Sequence, residues 1–291
     1  MTPIYKTAEG ERLVRERYLA FLKCWPVPNE HIRIATSQGE TFVVACGDVN
    51  APPLLLLHGS AGNSVMWIGD VPIFAARFRV YAIDMIGEAG LSAPSRPPLD
   101  SGAYAQWLDD VLDTLSLDRI SIVGISLGGW LALDYAIRRP DRTARLAVIC
   151  PGGVGRQKLG IVFTAIVLRA CGAWGKRRLA EKVFGRQPVK VSPAIKAFMG
   201  FIALIHEHFR PRMAKLPVFR DESLRHITIP VLAIVGARDV MLDSVATKRR
   251  LERTVPKAEV TMLPDAGHVL IGHTERVVKF LIGVQGDGAE R

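Results

Sequence analysis

Short, continuous apolar runs recur along this chain, at residues 54–57, 80–83, 120–123, 146–150, 231–235 and 260–263. Such runs, rich in Leu, Ile and Val and without polar alternation, predict strands buried on both faces, as in a parallel sheet. Up to residue 150 they alternate with segments whose apolar positions have helical spacing. That alternation predicts βαβ units with helices on both faces of one sheet. Ahead of it, Leu13, Val14, Tyr18, Phe21, Leu22 and Trp25 recur at helical spacing and predict an amphipathic helix over 8–25. Two short strands are expected at 32–35 and 41–46, around Ser37-Gln38-Gly39-Glu40. A last helix is expected over 274–282, and no internal repeat is visible.

The alternation stops between Pro151 and Pro230. Only helical periodicity is present there, at 159–173, 177–184, 193–209 and 212–225. The expected organisation is an α/β core made of 1–150 and 231–291, with 151–230 inserted as a helical segment. A chain of 291 residues, 49% hydrophobic, is large enough for one such domain with its insertion. The apolar run at 160–168 is too short to span a bilayer. The charged N-terminal stretch lacks the basic-then-apolar pattern of a signal peptide. Cys24, Cys46, Cys150 and Cys171 are scattered, with no C-x-x-C pair, so neither a metal set nor a disulfide framework is expected. Free thiols of this kind suit a cytoplasmic protein.

The chemistry is concentrated at strand ends. Gly124-Ile125-Ser126-Leu127-Gly128 is a G-x-S-x-G motif set between the apolar run 120–123 and a helical segment that ends near Pro140. On such a turn the serine hydroxyl is exposed, and the flanking glycines let the chain pass closely. A serine becomes a useful nucleophile when a base takes its proton and a carboxylate orients that base. Asp239 follows the run 231–235, and His268 follows 260–263. All three residues therefore sit just past strands, where they can meet at the carboxyl edge of a parallel sheet. Singly each has a plainer role: Ser126 and Asp239 as helix caps, His268 as a polar residue at a helix mouth. Jointly, three chemically matched groups at three strand ends favour a catalytic set. Asp243 and Asp265 compete as the acid, and His273 as the base, although His273 is expected one turn into the last helix. Leu54–Leu57 leads into His58-Gly59-Ser60-Ala61-Gly62. A developing oxyanion needs preorganised N–H donors. The expected donors are the amides of Leu127 and of Ser60, with Ala61 as the alternative to Ser60. His58 is expected to brace this loop rather than act as a base.

These residues resemble the α/β-hydrolase superfamily, in which the triad follows the order Ser, Asp, His seen here. Asp84-Met85-Ile86-Gly87-Glu88-Ala89-Gly90-Leu91-Ser92 is similar to the family's D-x-x-G-x-G-x-S loop, with the second glycine one place later. The N-terminal helix ending in Trp25-Pro26-Val27-Pro28, and Gly124 to Gly129, are similar to microbial serine carboxylesterases. The resemblance implies an α/β-hydrolase fold, a helical cap at 151–230 that walls the substrate pocket, and hydrolysis of small-molecule carboxylic esters through an acyl-enzyme. It implies Ser126, His268 and Asp239 as nucleophile, base and acid, and calls for no metal or organic cofactor. Lactonases, C–C bond hydrolases and non-catalytic ligand-binding relatives share these elements and remain alternatives.

Charge adds one feature. The net charge is +10, yet residues 151–230 carry 15 Lys and Arg against 4 Asp and Glu. The excess is therefore confined to the insertion. The plainer reading is a solvated helical surface. The sharper one is an electropositive lid drawing anionic substrates or an anionic membrane surface. No recognition motif or aromatic pattern accompanies the charge, so nucleic acid is not an expected partner. If the charge is functional, turnover of anionic substrates or binding to anionic vesicles will fall steeply with salt, because exposed charges are screened over about 10 Å at 0.1 M. Replacing Lys176, Arg177 and Arg178 by Glu will weaken that binding and leave a small neutral ester unaffected. Salt-independent binding and turnover would return these residues to the role of a solvated face.

Overall fold

The computed structural model describes residues 3–158, 172, 175, 178 and 192–283. Eight strands are formed: β1 Asn29–Thr36, β2 Gly39–Cys46, β3 Pro53–Leu57, β4 Arg79–Ile83, β5 Ile120–Ile125, β6 Thr143–Ile149, β7 Val231–Gly236 and β8 Ala258–Leu263. They make one sheet in the order β1-β2-β4-β3-β5-β6-β7-β8. β1 pairs antiparallel with β2, and β2 antiparallel with β4. Every other neighbour is parallel. This is the mostly parallel sheet expected from the apolar runs, in the α/β-hydrolase architecture that the resemblance implies.

Burial on both faces explains why those runs do not alternate. Leu54, Leu55, Leu56 and Leu57 are all buried. Leu55 and Leu57 pack with Trp107, Leu131 and Tyr135, from helices Ala103–Thr114 and Leu127–Arg138, on one face. Leu54 and Leu56 pack with Val14, Tyr18, Trp67 and Val277 on the other. Neither face meets water, so no polar position is selected.

The first helix is Ala8–Lys23. Thr7 caps it by accepting from the Gly10 amide at 3.0 Å, and Glu9 and Glu11 lie in its first turn, where the helix dipole favours anions. It stops at Cys24, short of the expected residue 25, because Trp25 precedes Pro26 and is steered out of the helical region.

Of residues 151–230, the helices expected at 159–173 and 177–184 lie outside the described residues except at 172 and 178, which are helical. Helix Pro193–His208 is formed, with Ser192 accepting from the Ile195 amide. It docks on the first helix. The Phe201 ring stacks on Tyr18 with centroids 6.3 Å apart and lies 5.2 Å from Phe21. The Lys6 amide donates to the His208 carbonyl, and the Arg210 amide to that of Ile4. The helix expected over 212–225 is a correction: only Asp221–Arg225 is helical. Pro211 and Pro217 break the turn ahead of it. The intervening backbone is held from outside instead, by Trp130 Nε1 on the Pro217 carbonyl (2.8 Å) and the Phe219 amide on Gly153 (2.8 Å). The last helix is Thr274–Leu281. No helix among the described residues is long and apolar enough to cross a membrane.

The docking of Pro193–His208 is testable. Phe201 is 1% exposed, so Phe201→Ala should cost about 3–5 kcal/mol of unfolding free energy in urea titration. Ile195→Ala, at a position 48% exposed, should cost far less. Equal, small losses would mean that this helix does not dock on the first.

Candidate active site

Ser126 lies between β5 and helix Leu127–Arg138 with φ 53° and ψ −106°, a left-handed conformation uncommon for a side-chain-bearing residue. Its amide donates to the Ile149 carbonyl (2.9 Å), and its carbonyl accepts from the amides of Trp130 (3.0 Å) and Gly152 (3.1 Å). Side chains at the flanking glycines would not fit. A Cβ at Gly124 would collide with the Gly128 carbonyl, and one at Gly128 with the Leu57 carbonyl. The small residues thus let the helix start against the end of β3, with the serine hydroxyl at the carboxyl edge of the sheet.

Asp239 and His268 follow β7 and β8, and the three side chains meet. His268 Nε2 is 3.1 Å from Ser126 Oγ, and His268 Nδ1 is 2.7 Å from Asp239 Oδ2. The pattern keeps the proton on Nδ1, which donates to the carboxylate, and leaves Nε2 to accept from the serine hydroxyl. The second carboxylate oxygen of Asp239 accepts from the amides of Met241 (2.7 Å) and Leu242 (3.0 Å). Asp239 is 2% exposed. Burial alone would raise its pKa. The hydrogen bond from His268 and the two amide bonds outweigh that and hold the carboxyl below the usual range.

The competing residues have other work. Asp243, not Asp239, caps the helix Ser244–Thr254, accepting from the Ala246 amide at 3.0 Å. Asp265 is exposed and paired with Arg238. His273 sits at the N-cap of the last helix rather than one turn inside it. His58 is fully buried, and both ring nitrogens are engaged: Nδ1 is 2.7 Å from the Gly59 carbonyl, and Nε2 accepts from the Met85 amide at 3.0 Å. Burial lowers its pKa, keeping a neutral ring that braces the loop.

Of the two candidate oxyanion donors, Leu127 is the first residue of its helix, so its N–H has no acceptor within that helix. Ser60 is exposed in the loop after β3. The alternative, the Ala61 amide, is bound to Glu88 Oε2 at 2.6 Å. The likeness of 84–92 to the family's loop motif gives no sign of this bond. Asp84 does hold the loop together, accepting at Oδ1 from Tyr18 Oη, the Ser64 amide and Ser64 Oγ (each 2.8 Å) and at Oδ2 from the Leu91 amide (2.7 Å). Residues 156–158 run beside the Asp239 loop, with Lys158 Nζ on the Asp239 carbonyl (2.7 Å) and the Lys158 amide on the Met241 carbonyl (2.8 Å).

Among the described residues, Cys150, Asp239 and His268 bring three potential metal ligands within 4.8 Å of one another. Their chemistry does not suit an ion. Burial, then the charge of Asp239, pushes the Cys150 thiol up to about 12, so it stays protonated. Asp239 and His268 are also occupied with each other.

Comparison with known proteins agrees with this architecture. The model of the alpha/beta hydrolase family matches residues 54–280. The chain is 30% identical over 273 residues to a Bacillus subtilis (strain 168) protein named uncharacterized carboxylesterase nap, covering 91% of each chain. It is 29% identical over 281 residues to carboxylesterase YbfK of the same organism, covering 92% of this chain and 93% of the relative. The crystal structure of naproxen esterase (carboxylesterase NP) from Bacillus subtilis superposes with a TM-score of 0.80 at 28% identity, over 95% of this chain and 99% of that one.

The strained turn yields a stability test. Glycine adopts positive φ without steric cost, whereas alanine keeps the strain. Ser126→Gly should therefore be more stable than Ser126→Ala, by on the order of 1 kcal/mol in denaturant titration. Equal stability would mean that residue 126 is not held at positive φ.

Proposed function

The chain belongs to the α/β-hydrolase family, and we propose that it cleaves carboxylic esters through an acyl-enzyme carried by Ser126, His268 and Asp239. The observation that carries this reading is the single imidazole bridging serine and carboxylate at 3.1 and 2.7 Å. His268 Nε2 takes the Ser126 proton as Oγ attacks the ester carbonyl, and the carbonyl π pair moves onto oxygen. The amides of Leu127 and Ser60 stabilise that oxyanion. Collapse of the tetrahedral intermediate expels the alkoxide, which His268 protonates. Water, deprotonated by the same nitrogen, then attacks the acyl carbonyl; collapse releases the acid and breaks the bond to Ser126 Oγ, which takes the proton back from His268. Asp239 fixes the tautomer of His268 and stabilises its charged form, and every step proceeds without a metal or organic cofactor. The insertion 151–230 is the proposed cap. Its first residues, tied to the Asp239 loop through Lys158, support that placement. Its positive charge is the proposed attraction for anionic substrates or a membrane surface. The buried free thiols Cys46 and Cys150 suit the reducing cytoplasm as its location.

A fluorophosphonate probe should label Ser126, and Ser126→Ala should lose ester turnover by several orders of magnitude while still folding. Labelling at another residue, or turnover retained by Ser126→Ala, would refute the nucleophile. Asp239→Asn should lower kcat roughly 10⁴-fold, because the amide favours the wrong tautomer of His268. Asp265→Asn should be silent, and Asp243→Asn should cost little stability, since Asn also caps helices well. If Asp243→Asn is instead the crippled enzyme, the acid has been misassigned.

A further inference from the structure

Besides the Asp84 bonds to Ser64, three hydrogen bonds tie residues 58–63 after β3 to the loop that follows β4. The Met85 amide donates to His58 Nε2 (3.0 Å), and Asn63 Nδ2 donates to the Ala89 carbonyl (2.8 Å). Between these two, the Ala61 amide donates to Glu88 Oε2 at 2.6 Å. The outer bonds fix the ends of the segment. The Glu88 bond holds its middle, at the residue after Ser60, where the backbone has φ 56°. This segment lies against the nucleophile: a Cβ placed on Gly59 would be 3.8 Å from Ser126 Cβ.

Glu88 is 2% exposed, and its charge has compensation close by. The Arg96 guanidinium donates to the Gly87 and Arg210 carbonyls at 2.8 and 2.7 Å. That of Arg212 donates to the Pro97 carbonyl at 3.2 Å and to Tyr104 Oη at 2.5 Å. Both are anchored on uncharged oxygens, so their charge remains to offset a carboxylate. Burial pushes the Glu88 carboxyl up to about 7, against the pull of the Ala61 amide and of these two guanidiniums. A buried carboxylate behind a site that accumulates negative charge is electrostatically unfavourable. A hydrogen-bonding task at this position is a reason to keep it.

We propose that Glu88 is a positioning residue for the oxyanion hole: by binding the Ala61 amide it leaves the Ser60 amide as the second donor and holds it where the developing oxyanion forms. This inference rests on the esterase reading above. The two amides are adjacent in the chain, and each peptide unit is planar. Anchoring the plane between Ser60 and Ala61 therefore constrains the plane before it through two dihedrals only. Without the anchor, that donor must be ordered during the reaction, and catalysis loses the benefit of preorganisation.

The test uses the full chain with p-nitrophenyl butyrate as substrate and 1,1,1-trifluoro-2-hexanone, whose adduct mimics the oxyanion, as inhibitor. Glu88→Met keeps the volume and removes the acceptor. Its kcat should fall about 10- to 100-fold with KM little changed, and affinity for the trifluoroketone should fall by a similar factor. Glu88→Gln keeps an acceptor oxygen and should retain kcat within a few-fold. If Glu88→Met shows no cooperative melt, Glu88→Ala replaces it with the same expectation. Unchanged kcat, a loss expressed only in KM, or a Gln variant as impaired as Met would each overturn the proposal. Failure of the esterase reading looks different: the wild type would then neither turn over the ester nor be labelled at Ser126.

Discussion

The strained backbone of residue 126 is the constraint on which the rest of this structure depends. A non-glycine residue held in such a conformation costs about 1–3 kcal/mol, so its surroundings must over-determine it. They do so through the sheet. The Ser126 amide is bound by the last residue of β6, and its carbonyl by the helix it starts and by the chain leaving β6. Gly124 and Gly128 allow β5, the helix and the end of β3 to approach closely enough for those bonds to form. The sheet can hold this turn because both its faces are buried, and displacing the turn would disturb two packed layers at once. Rigidity at the nucleophile is thus a property of the core, imposed from below the site.

Parallel pairing then accounts for the convergence of the other groups. From β4 to β8 all strands run the same way, so every loop that follows one opens at the same edge. β3 delivers the Ser60 loop, β5 delivers Ser126, and β7 and β8 deliver Asp239 and His268. β6 lies between the strands of serine and acid, and the imidazole of His268 bridges the two side chains. β4 delivers the loop of Asp84 and Glu88, which contributes no reacting atom and binds the backbone of the Ser60 loop instead.

Much of this was legible in the chain because the signals are local. An unbroken apolar run reports burial on both faces, and a serine, aspartate or histidine just past it reports the sheet edge. Strand positions, their order along the chain and the three converging side chains could therefore be read from residues close in sequence. What could not be read depends on partners far away. The extended stretch from Arg212 to Arg220 has apolar spacing that mimics a helix, yet Pro211 and Pro217 break the turns. Its Phe219 and Leu216 amides and the Arg212 guanidinium are bound by Gly153, Gln157 and Tyr104. Nothing next to Glu88 in the sequence marks a role for it, and only the fold brings its carboxylate to Ala61, 27 positions away. The pairing of residues 156–158 with 241–243 is of the same kind. Periodicity carries no information about such contacts, because neither partner changes the local pattern of the other.

The acids near the site make the same point about chemistry. Asp239, Asp243, Asp265 and Glu88 carry the same functional group, and their residue types alone do not assign their tasks. Asp265 meets water and a guanidinium, so its charge is screened and reports on nothing beyond its own surface. Asp243 ends a loop and satisfies a free helical amide. Glu88 is buried with one backbone donor and two guanidiniums at a distance, and burial prevails in its pKa. Asp239 is buried too, but it receives three direct hydrogen bonds, and these prevail over burial. A carboxylate that stays ionised beside an imidazole can stabilise the charge that imidazole acquires. One that receives a single amide holds that amide in place, and the bond in turn favours its charged form against burial. The number of donors aimed at each carboxylate, set by where its loop leaves the sheet, is what separates the two roles.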